Sequence, residues 1–247
     1  MLFYNKWSLS DELDERVKSQ FLSLESVFSL QRPIISLGKQ SEVFSLSVEG
    51  QTFYIKRYFK TKGLGSWLGL SRYHLELKNQ RWFRQIGLQA AEVVGFGEKS
   101  LCLKPLRAAI ILRGVPDTDD LMALKMQQPQ LFADKRWYEA VSVQLAAIVA
   151  ELHRRRFCHN DFHWRNVLVQ RTDKGPQLFL IDCPKGMRYF GPVLTYRIIK
   201  DLACLDASAR GFLSQTQRMR FYFLYRGIDR LTARDKSFLR KILHRDY

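Results

Sequence analysis

The sequence predicts an α+β protein in which a β-rich first part with one long helix is followed by a helical second part. Residues 34–58 and residues 92–113 alternate apolar and polar side chains, as half-buried strands do. A helical pattern over residues 71–86 separates them, and a longer amphipathic pattern covers residues 137–156. With 247 residues, of which 46% are apolar and 13% aromatic, the chain is large enough to bury a core in each part.

Three parts are expected along the chain. They are an N-terminal helical extension (residues 1–30), a β-rich lobe (31–113) and a helical lobe (114–247), with a linker near 112–118. The apolar residues of the extension recur at helical spacing, at Leu9, Leu13, Val17, Phe21 and Leu24. Such a face packs on a protein core more often than it binds a membrane.

The elements of the first lobe follow from its turn and breaker residues. Glu49-Gly50-Gln51 supplies a hairpin turn between two strands. Residues 60–70 contain three glycines, which predicts a flexible connection. Gly87 directly follows the helix of residues 71–86, a position where glycine commonly ends a helix.

The second lobe is predicted to begin with a helix near Leu121, because Asp117-Thr118-Asp119 offers side chains that cap a helix N-terminus. After the long amphipathic helix, a loop leads to two short strands, residues 167–170 and 178–181, joined by a turn. From Thr195 to the end the pattern is helical. These elements make the second lobe mainly α-helical.

The charge balance is strongly basic. Forty Lys and Arg residues against 24 Asp and Glu give a formal net charge of +16. This charge favours anionic partners, which include nucleotide phosphates, nucleic acid and an acidic membrane surface. Since no zinc-finger or aromatic-basic RNA-binding motif accompanies it, no nucleic-acid partner is expected.

The cysteines and the apolar runs indicate the cellular compartment of the protein. Cys102, Cys158, Cys183 and Cys204 stand singly in apolar contexts, which is typical of buried reduced thiols in a cytosolic protein. The first residues lack a signal-peptide pattern, and no 18 apolar residues run together. We therefore expect a cytoplasmic protein, soluble or peripheral to a membrane.

One segment of the second lobe carries the strongest functional signal. It contains His159, Asp161 and Asn166, and Asp182 ends the apolar strand that follows. This spacing is typical of protein-kinase-like phosphotransferases. Asp161 is predicted to accept the proton of the attacking hydroxyl, while Asn166 and Asp182 are predicted to hold the Mg²⁺ that bridges the ATP phosphates. The motif therefore predicts a two-lobed protein-kinase-like fold with ATP between the lobes.

A lysine in the first lobe fits the same chemistry. Lys56 ends the strand Phe53-Tyr54-Ile55-Lys56 and is predicted to grip the α- and β-phosphates. Glu76, on the predicted helix, is the expected carboxylate partner of Lys56. Glu92 is the alternative, although it falls outside that helix.

The turn before the lysine strand is predicted to cover the nucleotide phosphates. It contains Gly38, Gln40 and Ser41, and the backbone amides of Gln40 and Ser41 can cradle phosphate oxygens. The turn holds one glycine where protein kinases have three. An ordinary hairpin would have the same sequence features.

Two features refine the motif. His159, Asp161 and His163 alternate, which leaves a zinc site as an alternative, although that site would leave Asn166 and Asp182 unused. Cys183-Pro184 follows Asp182, and Asn160 occupies the position of an arginine in many protein kinases. Together with the short route to the next helix, these features favour a small-molecule or glycan acceptor over a protein.

The chain resembles the bacterial lipopolysaccharide core kinases, which phosphorylate heptose or Kdo in the inner core. The matching stretches are IKRY (55–58), Glu76 through FRQIGL (83–88), HNDFHWRNVLV (159–169), LFLIDCPKG (178–186) and IKDLACLDAS (199–208). The resemblance implies Mg²⁺ and ATP as cofactors and a lipid-linked core oligosaccharide as acceptor. It also implies that Asp201 braces the catalytic loop through backbone amides.

The resemblance further implies a cytoplasmic active site, peripheral on the inner membrane of a Gram-negative bacterium, whose anionic surface would attract this basic chain. Other functions stay open. They are a kinase of a soluble small molecule, a protein kinase, a non-catalytic kinase-like binding module and, on charge alone, a nucleic-acid-binding protein.

Overall fold

The computed structural model describes residues 3–59, 70–101 and 104–245. The chain divides into two compact units, Met1–Pro116 and Asp117–Tyr247. Apart from Leu70, the predicted flexible connection at 60–70 lies outside the described residues.

An antiparallel six-stranded sheet forms the centre of the first unit, in the order β1-β5-β6-β4-β3-β2. Its strands are β1 (Phe3–Leu9), β2 (Ile34–Leu37), β3 (Ser41–Val48), β4 (Gln51–Phe59), β5 (Glu92–Leu101) and β6 (Lys104–Arg113). Alternation along β4 turns Phe53 and Ile55 to one face of the sheet and Lys56 and Tyr58 to the other. This alternation was the signal that predicted the strand.

Helices cover the two faces of this sheet. They are α1 (Glu15–Gln20), α2 (Leu24–Ser29) and α3 (Arg72–Gln85). Val17 of α1 and Val27 of α2 are buried in one cluster with Phe53 and Ile55. Tyr73 of α3 packs with Tyr58 in a second cluster. The predicted helix at 71–86 is thus present, and Ser71 caps its first turn through His74 N.

The prediction of a helix through Leu9 was wrong, because residues 3–9 form the edge strand β1, paired antiparallel with β5. Gly97 of β5 shows why this pairing is possible: a Cβ at this position would lie 2.3 Å from the Lys6 carbonyl oxygen. The rest of the segment forms α1 and α2, whose apolar residues pack on the sheet.

The second unit is mainly helical. Its helices are α4 (Leu121–Gln127), α5 (Gln130–Ala133), α6 (Lys135–Arg154), α7 (Gly191–Ala209), α8 (Gln215–Arg226) and α9 (Ala233–Leu243). Its short strands are β7 (Thr118–Asp120), β8 (Phe157–Cys158), β9 (Val167–Thr172), β10 (Gly175–Leu180) and β11 (Met187–Arg188). They form a sheet in the order β10-β9-β7 and the pair β11-β8. The predicted α+β class is confirmed.

Helix α4 begins at Leu121, as predicted, but its capping residue differs, and α7 begins earlier than predicted. Asp120, not the Asp117-Thr118-Asp119 segment, caps α4 and accepts hydrogen bonds from the amides of Met122 and Ala123. The preceding residues instead enter β7, which pairs with β9. Helix α7 begins at Gly191, four residues before the predicted Thr195. No described helix is long and apolar enough to cross a membrane.

Candidate functional site

The first unit contains the ion pair predicted between Lys56 and Glu76. The Lys56 Nζ lies 2.8 Å from Glu76 Oε2 and 3.0 Å from Oε1. Both side chains are largely buried, and the Tyr58 hydroxyl donates to the same carboxylate at 2.5 Å. The alternative partner, Glu92, pairs with Arg113 instead, at 2.8 Å. Helix α3 therefore fixes the position of the Lys56 amine.

Arg57, which the sequence reading did not single out, lies on the opposite face of β4 and is buried. Its Nε donates to the Val27 carbonyl at 2.9 Å, and Nη2 donates to the Leu30 carbonyl at 2.5 Å. Its Nη1 reaches Glu42 at 2.9 Å. Arg57 therefore satisfies carbonyl groups at the C-terminal end of α2 and ties this helix to β4, directly beside Lys56.

The turn predicted to cover phosphates joins β2 to β3. Gly38 lies in this turn, where its amide donates to the Ser41 carbonyl at 2.7 Å. The Gln40 carbonyl accepts from the Phe59 amide at 2.9 Å, which ties the turn to the end of β4. Gln40 and Ser41 are half-buried at the start of β3. Their role in phosphate binding stays a prediction.

In the second unit, Asp201 of α7 holds the loop that follows β8 and contains Asp161. Its carboxylate is fully buried and accepts from the amides of His159 and Asn160, each at 2.7 Å. His153 of α6 lies 3.4 Å from the same carboxylate. The loop backbone is thereby fixed immediately before Asp161. This is the bracing arrangement that the resemblance implied.

A backbone hydrogen bond between Asn166 and Ile181 brings Asn166 close to Asp182 in the fold. The Asn166 side-chain amide donates to the Asp161 carbonyl at 2.7 Å, so its Oδ1 is left as the acceptor atom of that side chain. The Ile181 amide donates to the Asn166 carbonyl at 3.1 Å, which places Asp182 one residue from this contact. An amide oxygen and a carboxylate form the hard-oxygen donor set that Mg²⁺ prefers, so the residues present fit this ion.

The Asp161 carboxylate has basic side chains around it. His163 Nε2 lies at 3.5 Å, Arg165 Nη2 at 3.7 Å and Lys185 Nζ at 4.0 Å. Burial lowers the pKa of the His163 imidazole, and the charge of Arg165 lowers it further. The ring is therefore neutral at pH 7, and Arg165 and Lys185 supply the positive charge. Both of these side chains are about half exposed, 59% and 47% respectively.

Asn160 connects the loop that contains Asp161 to the segment after Asp182. Its backbone is left-handed (φ 65°), a conformation that asparagine tolerates better than most residues. Its side-chain amide donates to the Lys185 carbonyl at 2.7 Å and to the Tyr189 hydroxyl at 3.0 Å. Arg197 Nη1 donates to its Oδ1 at 3.4 Å. The sequence showed only that an arginine was missing here, and this connection was not predicted.

The zinc alternative requires ligand atoms of His159, Asp161 and His163 to converge. Among the described residues, the group of three whose ligand atoms lie within 4.8 Å of one another is instead His153, Cys158 and Asp201. Burial raises the pKa of the Cys158 thiol, which keeps it protonated, and Asp201 already accepts two amides. That group therefore acts as an internal brace. Burial also lowers the pKa of His159, so its ring is neutral.

A cavity of about 290 Å³ lies among the helices of the second unit. Its walls are mainly apolar and aromatic, with Leu145 of α6, Leu205 of α7 and Tyr222 of α8 among them. The ion pair of Arg218 with Asp206, at 2.6 Å, forms one polar part of the wall. This lining does not suit a sugar hydroxyl, so the acceptor is better sought beside Asp161.

The helices and strands of the two units are those of a kinase-like fold. The solved structure described as "WaaP in complex with acyl carrier protein" resembles this chain with a TM-score of 0.74. The match covers 96% of each chain at 19% sequence identity, and it shows the fold alone.

A sequence model of the lipopolysaccharide kinase (Kdo/WaaP) family matches residues 40–225. The chain therefore belongs to this family, as the sequence resemblance predicted. The matched region includes both Lys56 and the segment from Asp161 to Asp201.

Curated relatives match part of the chain. A 3-deoxy-D-manno-octulosonic acid kinase of Mannheimia succiniciproducens is 26% identical over 139 residues, which are 56% of this chain and 52% of that protein. A protein of the same name from Pasteurella multocida is 23% identical over 158 residues, 64% of this chain and 60% of that protein. The chain thus spans between half and two thirds of the length of these relatives.

Proposed function

We propose that this protein is an ATP-dependent kinase that transfers the γ-phosphoryl group to a hydroxyl of a lipopolysaccharide inner-core sugar. The observation that carries the proposal is the anchored catalytic loop. Asp201 holds the backbone before Asp161, and Asn166 holds the Asp161 carbonyl. Phosphoryl transfer depends mainly on positioning, so a loop fixed on both sides of its base suits this chemistry.

Each predicted residue has a role in this mechanism. Lys56, held by Glu76, binds the α- and β-phosphates, and the amides of Gln40 and Ser41 cover them. Asn166 and Asp182 would hold Mg²⁺, which when bound neutralises charge on the β- and γ-phosphate oxygens.

Asp161 aims the acceptor hydroxyl and takes its proton. Because its ring is neutral at pH 7, His163 can accept or donate a hydrogen bond beside that hydroxyl. The fixed loop holds both side chains at the point of attack.

The basic groups beside Asp161 favour an acidic acceptor sugar. Arg165 and Lys185 lie within 4.0 Å of the carboxylate, and it can neutralise only one of their charges. Kdo carries a carboxylate, which a guanidinium and an ammonium group bind well. A heptose without phosphate carries no anionic group. Between the two inner-core sugars, we therefore propose Kdo. The relatives named as Kdo kinases support this choice.

The test is transfer of labelled phosphate from Mg²⁺-ATP to purified acceptors that end in Kdo or in heptose. We expect turnover with the Kdo acceptor. Asp161→Asn should lower this turnover about 100-fold or more, because it removes the base that orients the acceptor hydroxyl and takes its proton. Asp173→Asn, in an exposed turn, is the matched control and should keep full turnover. Unchanged turnover in Asp161→Asn would remove this residue from the mechanism, and a preference for heptose would overturn the choice of Kdo.

The setting of the reaction follows from its reactants. ATP is a cytoplasmic metabolite and the proposed acceptor is anchored by its lipid, so the enzyme would act at the cytoplasmic face of the inner membrane of a Gram-negative bacterium. Each basic residue near an anionic leaflet adds about 1 kcal/mol of attraction, so a net charge of +16 favours peripheral binding. No nucleic-acid partner is proposed.

A further inference from the structure

One surface of the second unit combines exposed apolar side chains with arginines. We call it the aromatic–arginine surface, and it consists of Met187, Phe190, Val193 and Tyr196 together with Arg156, Arg188, Arg197 and Arg245. Phe190 is 63% exposed, and Val193 and Tyr196 are each 52% exposed. All four apolar residues lie within ten positions of one another, along β11 and the first turns of α7.

The arginines lie against the aromatic rings of this surface. The guanidinium of Arg156 lies 5.3 Å from the centre of the Phe190 ring. Those of Arg197 and Arg245 lie 5.8 Å and 4.3 Å from the Tyr196 ring. The pairing of β8 with β11 and the hydrogen bond from the Tyr189 amide to the Arg156 carbonyl bring these separate segments together. The fold therefore brings residues from separate segments together to form this surface.

This surface is rich in positive charge. Residues 183–200 contain two lysines and two arginines and no Asp or Glu. Among the described residues, no carboxylate lies within 4.0 Å of the Arg156 guanidinium. In addition, Phe190 directly precedes α7, and its side chain makes no hydrogen bond to the first turn of the helix. The partial positive charge of this helix N-terminus therefore adds to the attraction for anions. An anionic partner with an apolar interior would satisfy both properties.

Other exposed apolar residues of the second unit are isolated by comparison. Met126 on α4 and Val143 on α6 are exposed, but they lie on separate helices. Single apolar residues of this kind are normal on protein surfaces, whereas a grouped set usually marks an interaction site.

The aromatic–arginine surface is joined directly to the catalytic loop. Tyr189, which lies between Arg188 and Phe190 in the chain, accepts from the Asn160 side chain at 3.0 Å. Arg197 donates to the same side chain at 3.4 Å. Asn160 immediately precedes Asp161. A partner bound at this surface is therefore held next to the proposed base.

We propose that the aromatic–arginine surface docks on an anionic lipid bilayer and presents the catalytic loop to an acceptor anchored there. Aromatic rings at the depth of the headgroups, with arginines that reach the lipid phosphates, are typical of interfacial binding. The acceptor part of this inference rests on the proposed function, while the binding part does not. A bilayer accounts for both the apolar and the cationic groups, whereas an acidic protein would account mainly for the arginines.

The test measures binding of the full chain to sedimented vesicles without nucleotide or acceptor. Vesicles of phosphatidylcholine alone are compared with vesicles of equal parts phosphatidylcholine and phosphatidylglycerol. The double variant Phe190→Ser/Val193→Ser should bind the anionic vesicles at least about tenfold more weakly than the wild type, because it removes the groups that enter the bilayer. Its matched control is Met126→Ser/Val143→Ser, which should bind as the wild type does.

A second pair of variants tests the charge. Arg156→Asn keeps a residue that tolerates the left-handed backbone at this position (φ 61°) and should weaken binding about fivefold. Arg136→Asn removes an exposed arginine in the first turn of α6, at the opposite end of this helix from Arg156, and should change binding less than twofold. Far-UV circular dichroism of each variant shows whether it is folded.

The outcomes separate this inference from the proposed function. Equal vesicle binding by the wild type and Phe190→Ser/Val193→Ser would overturn the docking surface, even if the protein phosphorylates a soluble core saccharide. Conversion of a wild-type dimer to a monomer by that variant would also overturn it, in favour of a second copy of the chain. If the wild type binds vesicles, Phe190→Ser/Val193→Ser does not, and no acceptor is phosphorylated, the docking surface is supported and the kinase proposal is overturned.

Discussion

Replacement of Asp201 by Asn tests how much of the site depends on one buried carboxylate. In the native protein this group accepts the amides of His159 and Asn160 at 2.7 Å each and has no exposure to solvent. The asparagine side chain would keep one acceptor oxygen, but it would turn an NH₂ group toward the other backbone amide. One hydrogen bond is lost, the second loses its charge, and a buried N–H is left without an acceptor.

The magnitude follows from these contacts. A hydrogen bond to a charged group contributes about 1.5–3 kcal/mol, and a buried donor without an acceptor costs about 1–3 kcal/mol. Since the second bond is retained in neutral form, we expect Asp201→Asn to lower the free energy of unfolding of the second unit by about 3 kcal/mol. Proteins of this kind are stable by only about 5–15 kcal/mol, so the effect is large.

Urea unfolding followed by far-UV circular dichroism measures this change, with each transition fitted separately because two units need not unfold together. Asp229→Asn, at an exposed position, is the matched control and should change the unfolding free energy by less than about 0.5 kcal/mol. A loss below about 1 kcal/mol for Asp201→Asn would refute the reasoning, because it would mean that the loop backbone does not depend on this carboxylate.

Two further predictions concern other contacts. Glu76→Gln should raise the KM for ATP about tenfold or more in steady-state assays, because Lys56 loses the negative charge that positions it; Glu92→Gln, the rejected alternative, should leave this KM unchanged. The hydrogen bond from Thr232 and the nearby Arg226 lower the pKa of Asp235 below its ordinary 3.8. The ionised Asp235 carboxylate therefore stabilises the fold above pH 3.8, and this contribution is lost as the pH falls through the lowered pKa. The difference in thermal midpoint between the wild type and Asp235→Asn should therefore be largest above pH 3.8 and shrink on acidification, and a difference that is the same at every pH would contradict this.

The parts of the site that the sequence predicted are those with a local signal. Period-two alternation placed Lys56 on one face of β4, and helical spacing placed Glu76 on α3, so their pairing needed only the ordinary packing of a helix on a sheet. The spacing of Asp161, Asn166 and Asp182 was readable because the loop and the following hairpin are short. Their chemical roles stay predictions.

The parts that were missed depend on partners far away in the chain. Strand β1 pairs with β5 about 90 residues later, and the sequence of residues 3–9 alone does not indicate this partner strand. Arg57 is buried because α2 ends beside it, so its sequence neighbours predict only a surface arginine. Asn160 is informative only once Tyr189 and Arg197 are known to contact it.

The short segment between Asp182 and Asp201 fits the proposed sugar acceptor better than a peptide acceptor. Only 18 residues separate the proposed metal ligand from the carboxylate that braces the catalytic loop. Within that length the chain supplies Lys185 beside Asp161 and then the exposed apolar residues that begin α7. A peptide would need a longer extended surface to bind by its backbone, whereas a lipid-anchored sugar needs only a membrane contact and a charged group beside the base. Under the proposed function and the proposed membrane contact, the same short segment would bring the acceptor to the membrane side of this loop and bind its carboxylate there.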